Sequence, residues 1–442
     1  MDTGGSFLNV AVRIKPLIAD AQGVAKEMDC WHVDGNTITQ VIRGGGGEEG
    51  PGVGGSSFTV DRVFEAPATP TNRIVYEALG RRLVEYAAQR GVNATMFAYG
   101  QTSTGKTWTM MGSEEDPGVI PLALQDLFSL VSPSTSTTTA TALSPIIMEE
   151  VYTVKASYLE IYNEVISDLL DRNNTNLKVH ETPERGVFVG KLSEWTVANS
   201  QDALGLLKRG EENRKIGCTN MNERSSRSHT IFQLVISSRP RDPKMGGRIR
   251  SAILTFVDLA GSERVGQTGA EGLRLKEGGH INKSLLALTS VVSKLAEPNA
   301  AEEFIPYRDS KLTRILQPAL GGNSATTVLC AVSPNTAFVE ETLSTLKFAI
   351  RARSICNAPV TNEIVIPEAK AFRLEKENQN LKRRIAEIEE EQKERKKARW
   401  ALLDERLANY SARLHSLKSS LKVFLRCALI IGIVIDCESY VC

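Results

Sequence analysis

Gly100, Gln101, Thr102, Ser103, Thr104, Gly105, Lys106 and Thr107 stand in unbroken order: two glycines with four residues between them, then Lys, then Thr. That spacing is the pattern of a loop that cradles phosphate. Glycines let successive backbone N–H groups turn inward around an anion where a Cβ would obstruct. A lysine at position 106 reaches the β- and γ-phosphates, and a hydroxyl at 107 ligates Mg²⁺. Asp258 and Gly261, in Asp258-Leu-Ala-Gly261-Ser-Glu263, form a second set. There a carboxylate can hold the Mg²⁺ shell and a bare backbone N–H can approach the γ-phosphate. A third set is Asn222-Glu-Arg-Ser225-Ser226-Arg227-Ser228-His229. Its hydroxyls could ligate Mg²⁺ and orient an attacking water, while Arg227 could pair with a carboxylate. Together the three sets point to binding of a nucleoside triphosphate.

Each set needs an element to hold it. Val92-Asn-Ala-Thr-Met-Phe-Ala-Tyr99 reads as a buried parallel strand, so the phosphate loop leaves a strand tip. The residues from Lys106 onward can open a helix whose dipole adds to the site. Ala252-Ile-Leu-Thr-Phe-Val257 reads as another buried parallel strand ending at Asp258, and Thr230 to Ser237 as the strand after the hydroxyl-rich loop. Phe7 to Arg13 and Val151 to Ile161 are further strands, and Tyr76 to Ala88 is helical. Strands and helices alternate to about Arg353, which predicts an α/β fold: a central, mostly parallel sheet of P-loop NTPase type with helices on both faces. The glycine-rich stretch Gly44 to Gly55 and the Ser/Thr/Ala-rich stretch Ser132 to Ser144 read as surface loops. A turn-rich region surrounds Thr182 to Gly186.

A chain of 442 residues exceeds one typical domain and suits a large catalytic domain with an appendage. Its net charge of +1 gives no general attraction to nucleic acid, so a polyanionic partner must meet a local patch. Seven cysteines, at 30, 218, 330, 356, 427, 437 and 442, form no Cys-x-x-Cys pair and no metal-ligand spacing, which fits free thiols in a reducing cytosol. The first residues show no secretory signal pattern. The apolar run Cys427 to Ile435 is shorter than the roughly 20 residues that span a bilayer.

Against this background the chain resembles the kinesin superfamily motor domain over roughly residues 6 to 355. The stretches that carry the resemblance are Phe97 to Thr107, Ser157 to Glu164, Asn222 to His229, Val257 to Arg264, Ile281 to Leu285 and Pro306 to Arg314, in the family's order. The resemblance implies that Asn222 to His229 is switch I and Asp258 to Glu263 switch II. The expected catalytic group is Ser225, Ser226, Arg227, Asp258, Gly261 and Glu263, with Arg227 and Glu263 forming the salt bridge that closes the site. ATP is expected on residues 100–107, its Mg²⁺ on Thr107, Ser226 and, through water, Asp258. Arg13, Pro16 and Trp108 match the family's adenine-contacting positions. Lys15 stands in Arg13-Ile14-Lys15-Pro16 where the family usually has Arg, and loses that residue's planar fork. Trp108 replaces a smaller aromatic or His and offers a larger stacking face. Leu122 replaces the usual Arg of Ile-Pro-Arg.

The resemblance also implies a microtubule partner with an acidic surface, which a near-neutral motor must meet with clustered cations. Arg308, Lys311 and Arg314, three residues apart, are expected on one helical face. Arg274, Lys276 and Lys283 flank the family's main track-binding helix. The resemblance divides the chain into a motor domain at 1–355, a neck linker at 356–367, a coiled-coil neck at 368–425 and an unassigned apolar tail at 426–442. The sequence around the linker is most similar to the centromere-associated branch.

Leu374, Leu381, Ile385 and Ile388 form one apolar seam. Leu403, Leu407, Tyr410, Leu414, Leu417, Leu421 and Phe424 form a second, out of phase with the first. Their offset predicts a skip or hinge between them, with helix running to about Phe424 and pairing into a homodimer. The expected activity is ATP hydrolysis driving plus-end-directed movement along cytoplasmic microtubules, the spindle among them. Three rivals are a non-motile regulator of filament ends, a tether without turnover, and a P-loop GTPase. The Asn-Lys-x-Asp that reads guanine is missing, and the intact Lys106, Thr107, Arg227, Asp258 and Glu263 argue against a tether.

Overall fold

The computed structural model describes residues 6–16, 30–41, 55–65, 71–131, 150–183, 185–216, 224–240, 248–263, 273–300, 303–365 and 367–438. Nearly all of the expected glycine-rich loop and the whole of the Ser/Thr/Ala-rich loop lie outside this set, as do residues 217–223 of the chain before and into switch I. Two compact units are present, Met1–Ile366 and Pro367–Cys442.

The first unit is organised on an eleven-stranded sheet. Its main strands are β1 (Asn9–Ile14), β2 (Arg62–Phe64), β3 (Ala94–Gly100), β4 (Glu150–Tyr162), β5 (Val165–Asp168), β6 (Thr175–Leu177), β7 (His229–Pro240), β8 (Arg248–Asp258) and β9 (Ala325–Val332). They lie in the order β6-β5-β4-β7-β8-β3-β9-β1-β2, with Trp195–Val197 added beside β4 and Glu363–Val365 beside β8. From β8 through β3, β9 and β1 to β2 every pairing is parallel. The other half is antiparallel, so the sheet is mixed. Where the two halves meet, between β7 and β8, the reason is the length of one connection. Only residues 241–247 join β7 to β8, too few for the crossover of a dozen or more that parallel neighbours need.

Alternation along the strands sends the core to both faces. In β3 all seven residues are buried, as a central strand covered on both sides requires. Met96 and Ala98 face one apolar cluster with α1 (Arg81–Arg90), the long helix α3 (Val119–Val131) and α4 (Ser200–Ile216). Between α1 and α3, the short helix α2 (Lys106–Met111) follows the phosphate loop. Phe97 and Tyr99 face the opposite cluster with α5 (Leu273–Leu295), α6 (Lys311–Ile315) and α7 (Val339–Arg353). Pro121 lies in the first turn of α3, where a missing N–H costs nothing.

Past α7 the chain stays on the sheet. Cys356–Asn357 pairs antiparallel with Ser6–Phe7, and Glu363–Val365 pairs with Arg248–Arg250 of β8. Asn357 is buried; its Nδ2 donates to Ala319 O and Ser324 O, and its Oδ1 accepts from Gly321 N. The second unit is one helix, α8 (Pro367–Glu438). It opens on a proline at its first position and runs beyond the expected end near Phe424. Helix is continuous across the change of seam phase, so no break marks the expected hinge. None of the described helices is long and apolar enough to cross a membrane.

Candidate functional site

The site lies at the C-terminal ends of β3 and β8, adjacent parallel strands in which Asp258 is registered with Ala98. Gly100 ends β3 at φ 144°, with Ala331 O only 2.1 Å from where a Cβ would sit. Only glycine can start the loop there. Ser103 adopts φ 65°, an uncommon conformation for a residue with a side chain, and its carbonyl accepts from Lys15 Nζ at 2.8 Å. Lys15, which lacks the usual arginine fork, therefore has a role in holding the phosphate loop.

Within the loop Lys106 is buried, its Nζ donating to Gly100 O and Gln101 O at 2.8 Å each. Burial lowers the pKa of this ammonium, opposed by Asp258 and Glu263. Thr104 Oγ1 donates to Gln101 O at 2.7 Å, and Thr109, one turn into α2, returns to Gly105 O at 2.8 Å. Thr107 Oγ1 donates to Asp258 Oδ2 at 2.6 Å. Burial raises the Asp258 pKa against the opposing pull of Thr107 and Lys106. Asp258 Oδ1 is buried without a hydrogen-bond partner, as is Gln101 Oε1. A buried carboxylate oxygen left over beside a threonine hydroxyl is a donor set suited to a hydrated hard cation. The residues present therefore fit Mg²⁺.

Across from the loop, the segment after Asp258 is tied down atom by atom. Leu259 N donates to Ala98 O, Ser262 N to Gly100 O and Gly261 N to Ser226 O, at 3.3, 3.1 and 3.0 Å. A Cβ on Gly261 would meet Thr102 Oγ1 at 2.2 Å and the Glu263 carboxylate at 2.3 Å. Glu263 accepts from Thr102 N at 2.8 Å and from Thr102 Oγ1 at 2.5 Å. The short helix Arg224–Arg227 carries Ser225, Ser226 and Arg227, and the Ser226 carbonyl joins it to Gly261. Ser225's side chain and residues 222–223 lie outside the described set.

The base-side expectations divide. Trp108 keeps 48 % of its surface exposed, leaving a ring face for an aromatic base. Pro16 is half-buried. Arg13, by contrast, is buried and turned inward: its Nη1 donates to Asn72 Oδ1 at 2.6 Å and to Thr109 Oγ1 at 2.7 Å. Asn72 in turn donates to Trp108 O at 3.1 Å. In this structure Arg13 braces α2 from beneath. Asn72 carried no chemical signal in the sequence, and Lys15 stood out there only as a departure beside the base-contacting positions.

The cationic surface also departs from expectation. Arg308 lies in the 3₁₀ turn Tyr307–Asp309, and Ser310 breaks the chain to φ −140° as the N-cap of α6. Only Lys311 and Arg314 share that helix, so the three do not form one helical face. Ser310 Oγ and Lys311 N both donate to the Glu164 carboxylate, at 2.6 and 2.8 Å, which fixes the start of α6. Arg314 is paired with Glu181 of the hairpin Val179–Thr182/Gly186–Val189 and donates to Gln317 at 2.5 Å. Arg308 and Lys283 are exposed. Arg274 and Lys276 lie in α5, with side chains outside the described set.

A phosphate loop between strand and helix, with an acidic strand tip beside it, defines a P-loop nucleotide-binding protein. The kinesin motor domain family model matches residues 13–355, and the chain belongs to that family. It is 45% identical to the rice (Oryza sativa subsp. japonica) kinesin-like protein KIN-7L over 385 residues, 86% of this chain and 57% of the relative. It is 41% identical to human centromere-associated protein E over 384 residues, 86% of this chain and 13% of the relative, a similarity in keeping with the centromere-associated branch. The solved structure of a KIF14 dimer, two heads bound to a microtubule with AMP-PNP, aligns at TM-score 0.69 and 35% identity, covering 84% of this chain and 99% of that one. The chain spans little more than half the length of the rice relative and a small part of the human one.

Proposed function

We propose that this chain is an ATP-hydrolysing microtubule motor. The observation that carries the proposal is the meeting of Lys106, Thr107, Asp258 and Glu263 at the tips of β3 and β8. That set matches the work of phosphoryl transfer, which is positioning and charge stabilisation with no covalent intermediate. Lys106 would exchange its two loop carbonyls for phosphate oxygens. Thr107, Ser226 and, through water, Asp258 would hold Mg²⁺, which when bound supplies charge neutralisation on the phosphate oxygens. Gly261 would offer its N–H toward the γ-phosphate, and Arg227 with Glu263 would close the site around the attacking water. Trp108 would stack on the base.

Linker docking supports conversion of hydrolysis into movement. One strand, β8, ends in Asp258 and at its other end pairs with Glu363–Val365. Nucleotide state at one end and linker pairing at the other would thus share one backbone element; that stepping is plus-end directed is what the linker's resemblance to the family implies. The microtubule face would be α5, with Lys283, together with Arg308 and Lys311; Arg274 and Lys276 belong to the same reading. Exposed seam residues of α8, among them Leu407, Leu414 and Leu421, support a homodimer held by a coiled coil, working on the microtubule cytoskeleton.

Steady-state ATPase with and without microtubules tests the reading. The rate should rise on adding microtubules, and Lys106→Ala should abolish it. Gliding of polarity-marked microtubules with their minus ends leading establishes plus-end direction. A stimulated ATPase without gliding would favour the non-motile regulator.

A further inference from the structure

His229 opens β7 and is 2 % exposed. Its Nδ1 accepts from Ala260 N at 3.0 Å, and its Nε2 lies 2.8 Å from Ser284 Oγ on α5. Because Nδ1 accepts, the ring proton sits on Nε2 and is donated to Ser284. Burial, with the Lys106 and Arg214 charges, holds the His229 pKa at about 3, so the ring stays neutral. A neutral imidazole has one donor and one acceptor, and both are used here.

Position makes this pair of bonds consequential. Ala260 lies between Asp258, which bonds Thr107, and Gly261, which bonds Ser226. Ser284 is buried on the inner side of α5, among Leu285, Leu288, Val291 and Val292. Its neighbours Lys283 and Leu286 are exposed, Leu286 at 70 %. One helix therefore presents an outer face to solvent while a polar bond on its inner face reaches the catalytic segment through a single side chain. Ala260, next to Gly261, is thus joined to α5 through the His229 ring. An apolar contact tolerates sliding of the helix, whereas a hydrogen bond weakens steeply with distance and angle.

We propose that the His229–Ser284 hydrogen bond is the link through which α5 sets the position of the Ala260–Gly261 backbone, making both residues positioning residues for microtubule-stimulated hydrolysis. The inference rests on α5 being the microtubule-facing helix, as in the function proposed above. A microtubule that shifts α5 acts through Ser284 on the ring, and the ring acts on the N–H that holds Ala260.

The test is Ser284→Ala in the full chain, with ATPase measured across a microtubule titration. The basal rate and the thermal midpoint should stay near those of the parent. The maximal stimulated rate should fall by about three- to tenfold, the scale of one lost buried hydrogen bond. The microtubule concentration giving half-maximal stimulation should change by less than about twofold, because no microtubule contact has been removed. His229→Asn shortens the side chain out of reach of Ser284. Adding Ser284→Ala to it should lower the stimulation ratio no further, since one link is cut only once. The proposal is overturned if Ser284→Ala is stimulated like the parent, if its basal and stimulated rates fall by the same factor, or if the losses in the double variant multiply. A parent that shows no stimulation at all overturns the motor reading itself, and this inference with it.

Discussion

The Thr107 hydroxyl donates to Asp258 Oδ2 at 2.6 Å, joining the phosphate loop to the neighbouring strand tip, and leaves Asp258 Oδ1 buried without a partner. On the proposed reading, one carboxylate would orient the Thr107 hydroxyl and keep an oxygen for the water shell of Mg²⁺. Asp258→Asn keeps the shape but replaces one oxygen by an amide that cannot accept. The Mg²⁺ concentration needed for half-maximal ATPase should rise about 10- to 100-fold, the usual cost of losing an outer-shell partner. Chelation by EDTA should stop turnover in the parent. A variant with the parent's Mg²⁺ dependence would remove Asp258 from the site.

Glu263 is held by both groups of Thr102, while Arg227 sits in the short helix whose Ser226 carbonyl accepts from Gly261. If the two side chains meet to close the site, Arg227→Ala should slow single-turnover hydrolysis by about 100-fold or more with nucleotide affinity little changed. Thr102→Val removes only the hydroxyl anchor and should cost about tenfold at most. Equal losses in the two variants would mean that the loop contact, not the ion pair, is what Glu263 supplies.

Burial of His229 carries a pH signature. Its pKa falls from an ordinary 6.5 to about 3 on folding, so the unfolded chain binds the extra proton between those values. The stability it contributes is full above about pH 6.5 and is lost as pH falls toward 3. Between pH 7.5 and 5.5 this one group should cost about 1.4 kcal/mol. Urea unfolding of the parent and of His229→Asn at both pH values isolates it: the variant should lose less by about that amount. Parallel losses in the two proteins would place the ring in a solvated or charged state.

Much of the site was legible because its chemistry is local. Residues 100–107 and 258–263 each follow an apolar strand, and the close approach of Gly261 to Thr102 follows from adjacent strand tips. Arg13 shows where local reading stops: its partners Asn72 and Thr109 are distant in sequence, so its inward turn depends on packing that no motif encodes. Arg308, Lys311 and Arg314 failed as one face for a smaller reason, because a capping serine at 310 divides a spacing that otherwise suits a helix. The antiparallel pairing of β7 with β8 was hidden in a seven-residue connection. His229 was visible within a motif, but its bond to Ser284 exists only once α5 is folded against β7.

The helical unit makes the last prediction. Leu403, Leu407, Tyr410, Leu414, Leu417, Leu421 and Phe424 are all exposed along α8, and a helix with an apolar stripe of this length is stabilised by pairing it. A chain ending at Ile366, the limit of the first compact unit, should be monomeric, and the full chain dimeric. Each buried seam leucine contributes about 1.5–3 kcal/mol, against the ordering of two long helices and the entropy of association. Dimerisation should therefore depend on protein concentration, with a midpoint in the micromolar range. Leu414→Asp together with Leu417→Asp places unpaired charges in the seam and should abolish association while leaving the ATPase of a single head unchanged. Sedimentation velocity across a concentration series decides the matter. A full chain that stays monomeric at high concentration means that α8 stands alone, and two-headed stepping is lost with it.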